Sequence, residues 1–280
     1  MSDLRREAKA ALAHLGVHPE KRRGQNFMIN EAALDAIANA LPVEKGETVV
    51  EIGPGLGFLT RRLVGRGARV IAVEMDFVMT RHLRSAFTAD TVRVLEADIL
   101  KVDLARDLAP DRPSKVFGNI PYNITSPILE WLISQRHLVR EAALTVQLEL
   151  AQRLLAKPGT KEWGSLSVFL NFYAEMTLVR KITRGSFQPP PNVDSALIRI
   201  VFSETPRVRV ADEAAFFRLV RPAFQKRRKT LLNALESDAP GRSKTELTAV
   251  FAALGVDARR RPETLTLPEW AALSDRIAKA

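Results

Sequence analysis

The segment FGNIPYN, residues 117–123, places an amide, a proline and an aromatic ring directly after an apolar run. The side-chain oxygen of Asn119 and the backbone carbonyl of Ile120 could each accept one hydrogen of an exocyclic amine on a nucleic-acid base. Two acceptors would pyramidalise the nitrogen, whose lone pair is otherwise delocalised into the ring, and direct it at an electrophile. Pro121 fixes the backbone here and has no N–H that would compete. The segment therefore predicts an amine clamp that works mainly by orientation.

Aromatic side chains could hold the base itself. Tyr122 offers a ring face to a base that has left its stack, and Phe187, within GSFQPPPNVDS, could form a second wall opposite it. The alternative is structural: a polar turn with Tyr122 packed in the core, and Phe187 as the anchor of a proline-rich loop. The four histidines show no pattern of catalytic partners, and the sequence contains no metal-ligand constellation. No metal site is expected.

A glycine-rich loop, EIGPGLG at residues 51–57, follows another apolar run and precedes a helix. It lacks the dinucleotide fingerprint, because Phe58 occupies the third glycine position, and it lacks the Gly-Lys-Ser/Thr of a phosphate-binding loop. Glu74 and Asp98 end the next two strands, where the first could accept both hydroxyls of a ribose and the second an adenine amine. This set suits an adenosine without phosphates, typically S-adenosylmethionine. Alternatively, both acids cap the elements that follow them.

Short apolar runs alternate with amphipathic segments through the first half of the chain. Strands are predicted at 48–52, 70–73, 92–95, 115–117 and 144–147, and helices at 31–43, 58–65, 76–87, 126–135 and 149–156. This alternation predicts an α/β fold, a Rossmann-like parallel sheet with helices on both faces. Two later runs, 174–182 and 195–202, predict a β-hairpin.

The alternation of strands and helices ends at Thr205-Pro206. Beyond it only helices are predicted, at 212–222, 227–236, 243–253 and 268–279. We therefore expect two domains. Residues 1–205 would form a catalytic domain that binds S-adenosylmethionine, and residues 206–280 a small all-α domain, for which the charge distribution and the resemblance described below imply binding of RNA. A chain of 280 residues is long enough for this division.

Composition narrows the class of protein. The chain has no cysteine, which excludes disulfides and cysteine–zinc sites and fits a cytoplasmic location. No apolar run is long enough for a membrane span, and the N-terminal segment carries acids and lacks a continuous apolar region, so it does not resemble a secretory signal. We expect no membrane partner.

The net charge of +10 is concentrated at the two ends of the chain. Residues 207–280 carry 15 Lys/Arg against 9 Asp/Glu, and residues 1–30 carry 6 against 3. Clustered cations of this kind favour a polyanion partner, most simply nucleic acid. The alternative is an ordinary solvated surface.

Seven motifs together resemble the KsgA-type rRNA adenine N6-dimethyltransferases. They are GQNFM (24–28), EIGPGLG (51–57), VEMD (73–76), EAD (96–98), GNIPYN (118–123), SFQPPPNVDS (186–195) and FQKRRKTLLNAL (224–235). Family members use S-adenosylmethionine to dimethylate two neighbouring adenosines near the 3′ end of 16S rRNA, late in assembly of the small ribosomal subunit. We expect the same of this chain, acting as a monomer because the partner is large and no dimer seam is visible.

The resemblance also implies roles for individual residues. Cofactor contacts would come from Gln25, Asn26, Met28, Glu51, Gly53, Gly55, Glu74, Met75, Asp98, Ile99 and Asn119. The amine clamp would be Asn119, Ile120 and Pro121, and the base would stack on Tyr122 and Phe187. RNA would be held by Arg22, Arg23, Lys226, Arg227, Arg228 and Lys229, the last four at a predicted helix start.

Three alternatives remain at this stage. A related branch dimethylates a 23S rRNA adenosine and confers antibiotic resistance; it shares the clamp motif, but the run Phe224–Thr230 favours the small-subunit branch. A non-catalytic RNA-binding assembly factor would have the same basic ends, although the intact Glu74 and Asp98 argue against it. A DNA adenine methyltransferase would usually carry Asp or Ser before Pro-Pro-Tyr, whereas this chain has Asn-Ile-Pro-Tyr.

Overall fold

A seven-stranded sheet organises the first part of the chain in the computed structural model, which describes residues 3–17, 25–108, 113–226, 228–236 and 243–279. Its strands are β2 (Thr48–Ile52), β3 (Arg69–Glu74), β4 (Val92–Glu96), β5 (Lys115–Asn119), β6 (Glu141–Gln147), β7 (Ala174–Ile182) and β9 (Ser195–Phe202). They lie in the order β4-β3-β2-β5-β6-β9-β7. Two short strands, β1 (Phe27–Met28) and β8 (Phe187–Gln188), form a separate antiparallel pair.

The strands β2 to β6 are parallel to their neighbours, and β9 runs antiparallel to β6. Strands covered on both faces are expected to be apolar throughout, and β2 is buried at all five positions. Alternate residues face opposite sides: Val49 packs in a core with the two helices that precede and follow β2, whereas Val50 is buried on the other side.

Helices precede and connect the strands. They are α1 (Asp3–His14), α2 (Glu31–Ala38), α3 (Phe58–Gly65), α4 (Phe77–Ala86), α5 (Leu104–Asp107), α6 (Thr125–Ser134) and α7 (Leu148–Leu154). Local chemistry sets their starts: the side chain of Asn30 accepts from the amide of Ala33 at the start of α2, and Asp76 accepts from Val78 at the start of α4. The predicted α/β sheet with its intervening helices is confirmed, and β7 and β9 are neighbours in the sheet.

The chain divides into two compact units. The first comprises residues 1–151 and 176–204, and the second comprises residues 152–175 and 205–280. The predicted catalytic domain, residues 1–205, included 152–175. In the structure this stretch instead supplies α8 (Ser165–Tyr173) to the second unit, because its aromatic side chains pack against a helix that begins after residue 205.

The second unit is helical. Besides α8 it contains α9 (Glu213–Gln225), α10 (Leu231–Glu236), α11 (Lys244–Ala253) and α12 (Leu267–Lys279). Phe172 and Phe216 are fully buried, with ring centroids 4.9 Å apart. Ser243 and Glu246 form a reciprocal capping box that starts α11.

The sequence predicted that the cationic run after Phe224 lies at a helix start, and this prediction is wrong for the described residues of the run. Helix α9 ends at Gln225, and α10 begins only at Leu231. The amide of Lys229 bonds to the carbonyl of Lys226 instead, at 2.8 Å, which shapes this segment as a turn. The described cations therefore stand in a connection between two helices.

Candidate active site

A cavity of about 160 Å³ opens where β2, β3, β4 and β5 end. Parallel sheets bind ligands at this edge, where the strand order reverses direction. The wall includes every residue expected to contact a cofactor: Gln25, Asn26, Met28, Glu51, Gly53, Gly55, Glu74, Met75, Asp98, Ile99 and Asn119. Pro121 also lines it.

The glycine loop after β2 brings backbone to the cavity. Gly53 and Gly55 have φ of 63° and 55°, the left-handed region in which a side chain is strained. A Cβ on Gly55 would lie 2.9 Å from the ring of Phe27, whereas a Cβ on Gly53 would meet no atom within 4 Å and would project into open space. The glycines therefore permit the turn and keep the cavity open.

Glu74 is held rigidly at the end of β3. One carboxylate oxygen accepts from the amides of Met75 and Asp76, at 2.9 and 3.0 Å, and the other accepts from the amide of Gly55 at 3.1 Å. Burial raises the pKa of Glu74, although the three amide donors oppose that shift. The bond to Gly55 ties the acid to the glycine loop and leaves one acceptor position on the second oxygen.

Glu51 lies beneath the loop with 1% of its surface exposed. Its carboxyl group accepts a hydrogen bond from the hydroxyl of Thr60 on α3, at 2.6 Å. Removal from water raises the pKa of Glu51 to about 8, and the nearby charge of Glu74 acts in the same direction. Glu51 is therefore largely protonated at neutral pH.

The third acid, Asp98, lies after β4 and is partly buried. One of its oxygens accepts from the amide of Leu100 at 3.1 Å, so this residue caps the short turn that follows, as the alternative interpretation had it. The cap uses one oxygen only. Two apolar residues lie on the cavity wall with Asp98: Ile99 is buried, and Met75 has 68% of its surface exposed.

The segment Gln25–Met28 lines the cavity. Its β1 pairs with β8, with Met28 opposite Phe187. At one rim the side-chain amide of Gln25 donates to Asp76 at 3.4 Å, and at the other the carbonyl of Asn26 accepts from Asn119 at 2.9 Å. The segment is thus anchored to both sides of the site.

Asn119 ends β5 with its amide nitrogen turned toward Asn26. Since a backbone carbonyl can only accept, the side-chain oxygen of Asn119 faces the other way. Next to it, Ile120 is buried, and a Cβ on Gly118 would come within 2.9 Å of Ile120. Glycine at 118 is therefore needed so that Ile120 can pack there.

The two predicted stacking residues differ in exposure. Tyr122 is partly exposed, and its hydroxyl lies 2.6 Å from the hydroxyl of Ser195 at the start of β9. Phe187 has no exposed surface and packs in the core, so its ring presents no open face in this structure. The alternative interpretation of Phe187 was as the anchor of the proline-rich loop, and burial of its ring fits that role.

Of the residues expected to bind RNA, Arg22, Arg23 and Arg227 lie outside the described residues. Arg228 and Lys229 are exposed, and Lys226 is partly buried. No group of His, Cys, Asp and Glu within the described ranges could hold a metal ion. No helix in the described part of the chain is long and apolar enough to cross a membrane.

Sequence reasoning missed several partners of the site. Asp76 lines the cavity, and its position directly before a helix was a signal that it caps that helix. Thr60 and Ser195, which bond to Glu51 and Tyr122, gave no signal, because both contacts depend on how α3 and β9 pack.

The chemistry of the cavity wall fits an adenosine cofactor. Two carboxylates, Glu74 and Asp98, lie on the wall with a glycine loop, and no atom lies within 4 Å of the position that a Cβ on Gly53 would take. The strand order, with one antiparallel strand inserted beside β6, is that of a Rossmann-like class I methyltransferase. Fold and site together define an enzyme that uses S-adenosylmethionine.

Comparison with known proteins gives the family. A model described as "Ribosomal RNA adenine dimethylase" matches residues 18–279, so the chain belongs to that family. Proteins named "Ribosomal RNA small subunit methyltransferase A" are similar over nearly their whole length. The one from Anaeromyxobacter dehalogenans strain 2CP-C is 45% identical over 98% of both chains, and the one from Moorella thermoacetica is 43% identical over 95% of this chain and 94% of its own.

Solved structures of known proteins are also similar to this chain. A dimethyladenosine transferase from Plasmodium falciparum is 28% identical over 88% of this chain and 95% of its own, with a TM-score of 0.73. The 23S rRNA methyltransferase ErmE is 27% identical over 90% of this chain and 100% of its own, with a TM-score of 0.71. The chain is therefore an S-adenosylmethionine-dependent methyltransferase of the rRNA adenine dimethylase family.

Proposed function

We propose that this enzyme transfers methyl groups to the N6 amines of two adjacent adenosines near the 3′ end of 16S rRNA. The products are N6,N6-dimethyladenosines, formed in the cytoplasm on the small ribosomal subunit late in its assembly. The enzyme acts as a monomer. The observation that carries this proposal is the position of Asn119, whose side-chain oxygen is turned away from Asn26 at the wall of a cavity suited to S-adenosylmethionine.

The choice of substrate rests on likeness to relatives. Proteins that carry the small-subunit name match this chain at 39–45% identity, whereas the 23S enzyme ErmE matches at 27%. The absence of cysteine fits action in the reducing cytoplasm.

The proposed cofactor contacts follow from the cavity wall. The remaining acceptor position of Glu74 takes a ribose hydroxyl, and one amide that now occupies the carboxylate gives way for the second hydroxyl. Asp98 accepts from the adenine amine through the oxygen that does not cap the turn, between the apolar surfaces of Met75 and Ile99. When bound, S-adenosylmethionine supplies an activated methyl group.

The proposed chemistry is orientation of a weak nucleophile. The oxygen of Asn119 and the carbonyl of Ile120 each accept one hydrogen of the target amine, so that its lone pair points into the cavity. The ring of Tyr122 stacks on the flipped base. Phe187 can form the opposite wall only if its segment moves from the core, since its ring is now fully covered. No general base is needed, because the product ammonium loses its proton readily.

The helical unit is proposed to hold RNA. Arg228 and Lys229 are exposed in the connection between α9 and α10, where they can contact phosphates. Lys226 and the undescribed Arg22, Arg23 and Arg227 are assigned the same role from the sequence. These contacts position the enzyme and supply affinity, while the clamp selects the base.

Methyl incorporation into isolated subunits tests the choice of substrate. Undermethylated 30S and 50S subunits are each incubated with the enzyme and radiolabelled S-adenosylmethionine. We expect incorporation into 30S subunits and none into 50S subunits. Incorporation into 50S subunits alone would identify the 23S alternative, and binding to 30S subunits without incorporation would identify a non-catalytic assembly factor.

A further inference from the structure

A hydrogen bond joins the clamp motif to a distant strand. The hydroxyls of Tyr122 and Ser195 lie 2.6 Å apart, which is short for such a pair, and 73 residues separate them along the chain. Tyr122 is partly exposed, whereas Ser195 has no exposed surface. One partner therefore reaches solvent, next in sequence to Pro121 on the cavity wall, and the other is fixed inside the fold.

The position of Ser195 is set from several directions. It is the first residue of β9 and pairs with Gln147 on β6. Its neighbour Asp194 accepts from the amide of Leu148 through its backbone and from the amide of Arg184 through its side chain, both at 2.9 Å. A hydroxyl mounted on such an anchored backbone can hold a movable ring in one orientation.

The ring of Tyr122 needs such support. It stands in a short turn, Tyr122–Ile124, that has no side-chain cap, and the Tyr122 ring has no ring-stacking partner among the described aromatic side chains. A tyrosine side chain has several staggered rotamers, and a bond at its hydroxyl favours the one that reaches the partner. Within the described residues, Ser195 is the hydrogen-bond partner of its hydroxyl.

We propose that Ser195 is a positioning residue for methyl transfer, which orients the ring of Tyr122 so that the target base can stack on it beside Asn119. The inference rests on the proposed function, since that function makes Tyr122 the stacking surface. The bond also ties the clamp after β5 to the segment 186–195 that carries Phe187. Movement of that segment would therefore change the orientation of the Tyr122 ring.

Two measurements test this, and the first does not require activity. The chain has two tyrosines, Tyr122 and Tyr173, so a protein labelled at the tyrosine Cζ gives two resonances, which Tyr122→Phe assigns. Tyr173 bonds instead to Glu213 and is an internal control. In Ser195→Ala we expect the Tyr122 resonance to shift and the Tyr173 resonance to stay. An unshifted Tyr122 resonance would overturn the proposal.

The second measurement is a double-mutant cycle on kcat/KM for methyl transfer to undermethylated 30S subunits. Tyr122→Phe and Ser195→Ala should each reduce the value by about tenfold, the worth of one hydrogen bond, with the KM for S-adenosylmethionine unchanged. The double variant should be no worse than either single variant, because both remove the same bond. Additive losses, about a hundredfold together, would overturn it.

The two measurements also distinguish failure of this proposal from failure of the proposed function. A wild-type enzyme that methylates no 30S adenosine would refute the function, while the resonance shift would still report whether Ser195 holds Tyr122. An active enzyme with an unshifted resonance would refute the role of Ser195 alone.

Discussion

The side-chain amide of Asn119 donates to the backbone carbonyl of Asn26 at 2.9 Å, across 93 residues of sequence. This bond decides which atom of Asn119 faces a substrate, because the carbonyl can engage only the nitrogen and the oxygen is left to accept. The N-terminal segment thus closes one side of the cavity and also sets the polarity of the clamp. The contacts proposed for the cofactor and for the target amine therefore lie on one wall of the cavity.

Asn119→Ala should separate binding from chemistry. Loss of the acceptor oxygen leaves the target amine poorly oriented, and we expect methyl transfer to fall by at least about a hundredfold. Affinity for S-adenosylmethionine, measured by calorimetry, should fall much less, by no more than about tenfold, the worth of the lost bond to Asn26. The matched control is Asn123→Ala, an exposed asparagine of the same motif, which should keep its activity. Full activity of Asn119→Ala would contradict the clamp.

Glu74→Gln should weaken cofactor binding. A neutral amide replaces a carboxylate that is proposed to accept from the ribose, so we expect the Kd for S-adenosylmethionine to rise by about 10- to 100-fold, the worth of a hydrogen bond to a charged group. Glu96→Gln is the control, since Glu96 is opposite Glu74 on β4 but lies outside the cavity wall. Equal affinities of the two variants in calorimetry would refute the ribose contact.

Gly53→Ala should damage binding beyond its cost in stability. Both Gly53 and Gly46 have left-handed backbones, with φ of 63° and 82°, and a Cβ on either would meet no atom within 4 Å. Alanine at either position should lower the free energy of unfolding by about 1–2 kcal/mol. Only Gly53 lines the cavity, so only Gly53→Ala should weaken S-adenosylmethionine binding. A comparable loss of affinity in Gly46→Ala would show that strain alone is responsible.

Glu51 should make stability depend on pH. In the folded protein its pKa is about 8, whereas its ordinary value is 4.5, so between these limits the folded state holds a proton that the unfolded chain has lost. This group therefore lowers the free energy of unfolding as the pH rises through that window, by up to about 1.4 kcal/mol per pH unit. Glu51→Gln cannot ionise but can still accept from Thr60. Urea unfolding from pH 5 to pH 9 should give a flatter profile for Glu51→Gln than for the wild type, with the variant the more stable above pH 8. Parallel profiles would contradict the assignment.

Arg228→Ala/Lys229→Ala should weaken binding to RNA without affecting the cofactor. If both cations contact phosphates, the slope of log K against log salt should become shallower by about 1.4 to 1.8, at 0.7 to 0.9 per contact. The control double variant, Lys45→Ala/Arg81→Ala, removes the same charge from exposed positions in the first unit. The two slopes are measured by fluorescence anisotropy of a 16S rRNA fragment, titrated with each double variant at several salt concentrations. Identical slopes for the two double variants would place the RNA surface elsewhere.

Much of the fold could be predicted because its signals are local. The apolar runs at 48–52 and 70–73 are strands in the structure, since a sheet covered on both faces requires continuous apolar segments. The membership of 152–175 in the helical unit could not be predicted. It depends on the packing of Phe172 against Phe216, a contact between residues 44 positions apart, and nothing in either segment alone indicates it.

In the candidate site, too, some features could be predicted from the sequence and others could not. Residues at strand ends, such as Glu74 and Asn119, could be placed, because the carboxyl ends of parallel strands meet at one edge. The bonds that orient them could not. Asn26 with Asn119 and Ser195 with Tyr122 are contacts between elements whose approach is fixed by the whole sheet. The burial of Phe187 likewise follows from pairing of β1 with β8, two strands of two residues each that are too short to give a pattern.

Mass spectrometry of the 3′-terminal fragment of 16S rRNA tests the central claim most directly. Undermethylated 30S subunits are incubated with the enzyme and S-adenosylmethionine, the terminal fragment is released by a nuclease, and its mass and fragmentation are read. We predict two adjacent adenosines, each heavier by two methyl groups, and an unmodified fragment with Asn119→Ala. An unmodified fragment with the wild-type enzyme, under conditions in which it binds S-adenosylmethionine, would contradict the account.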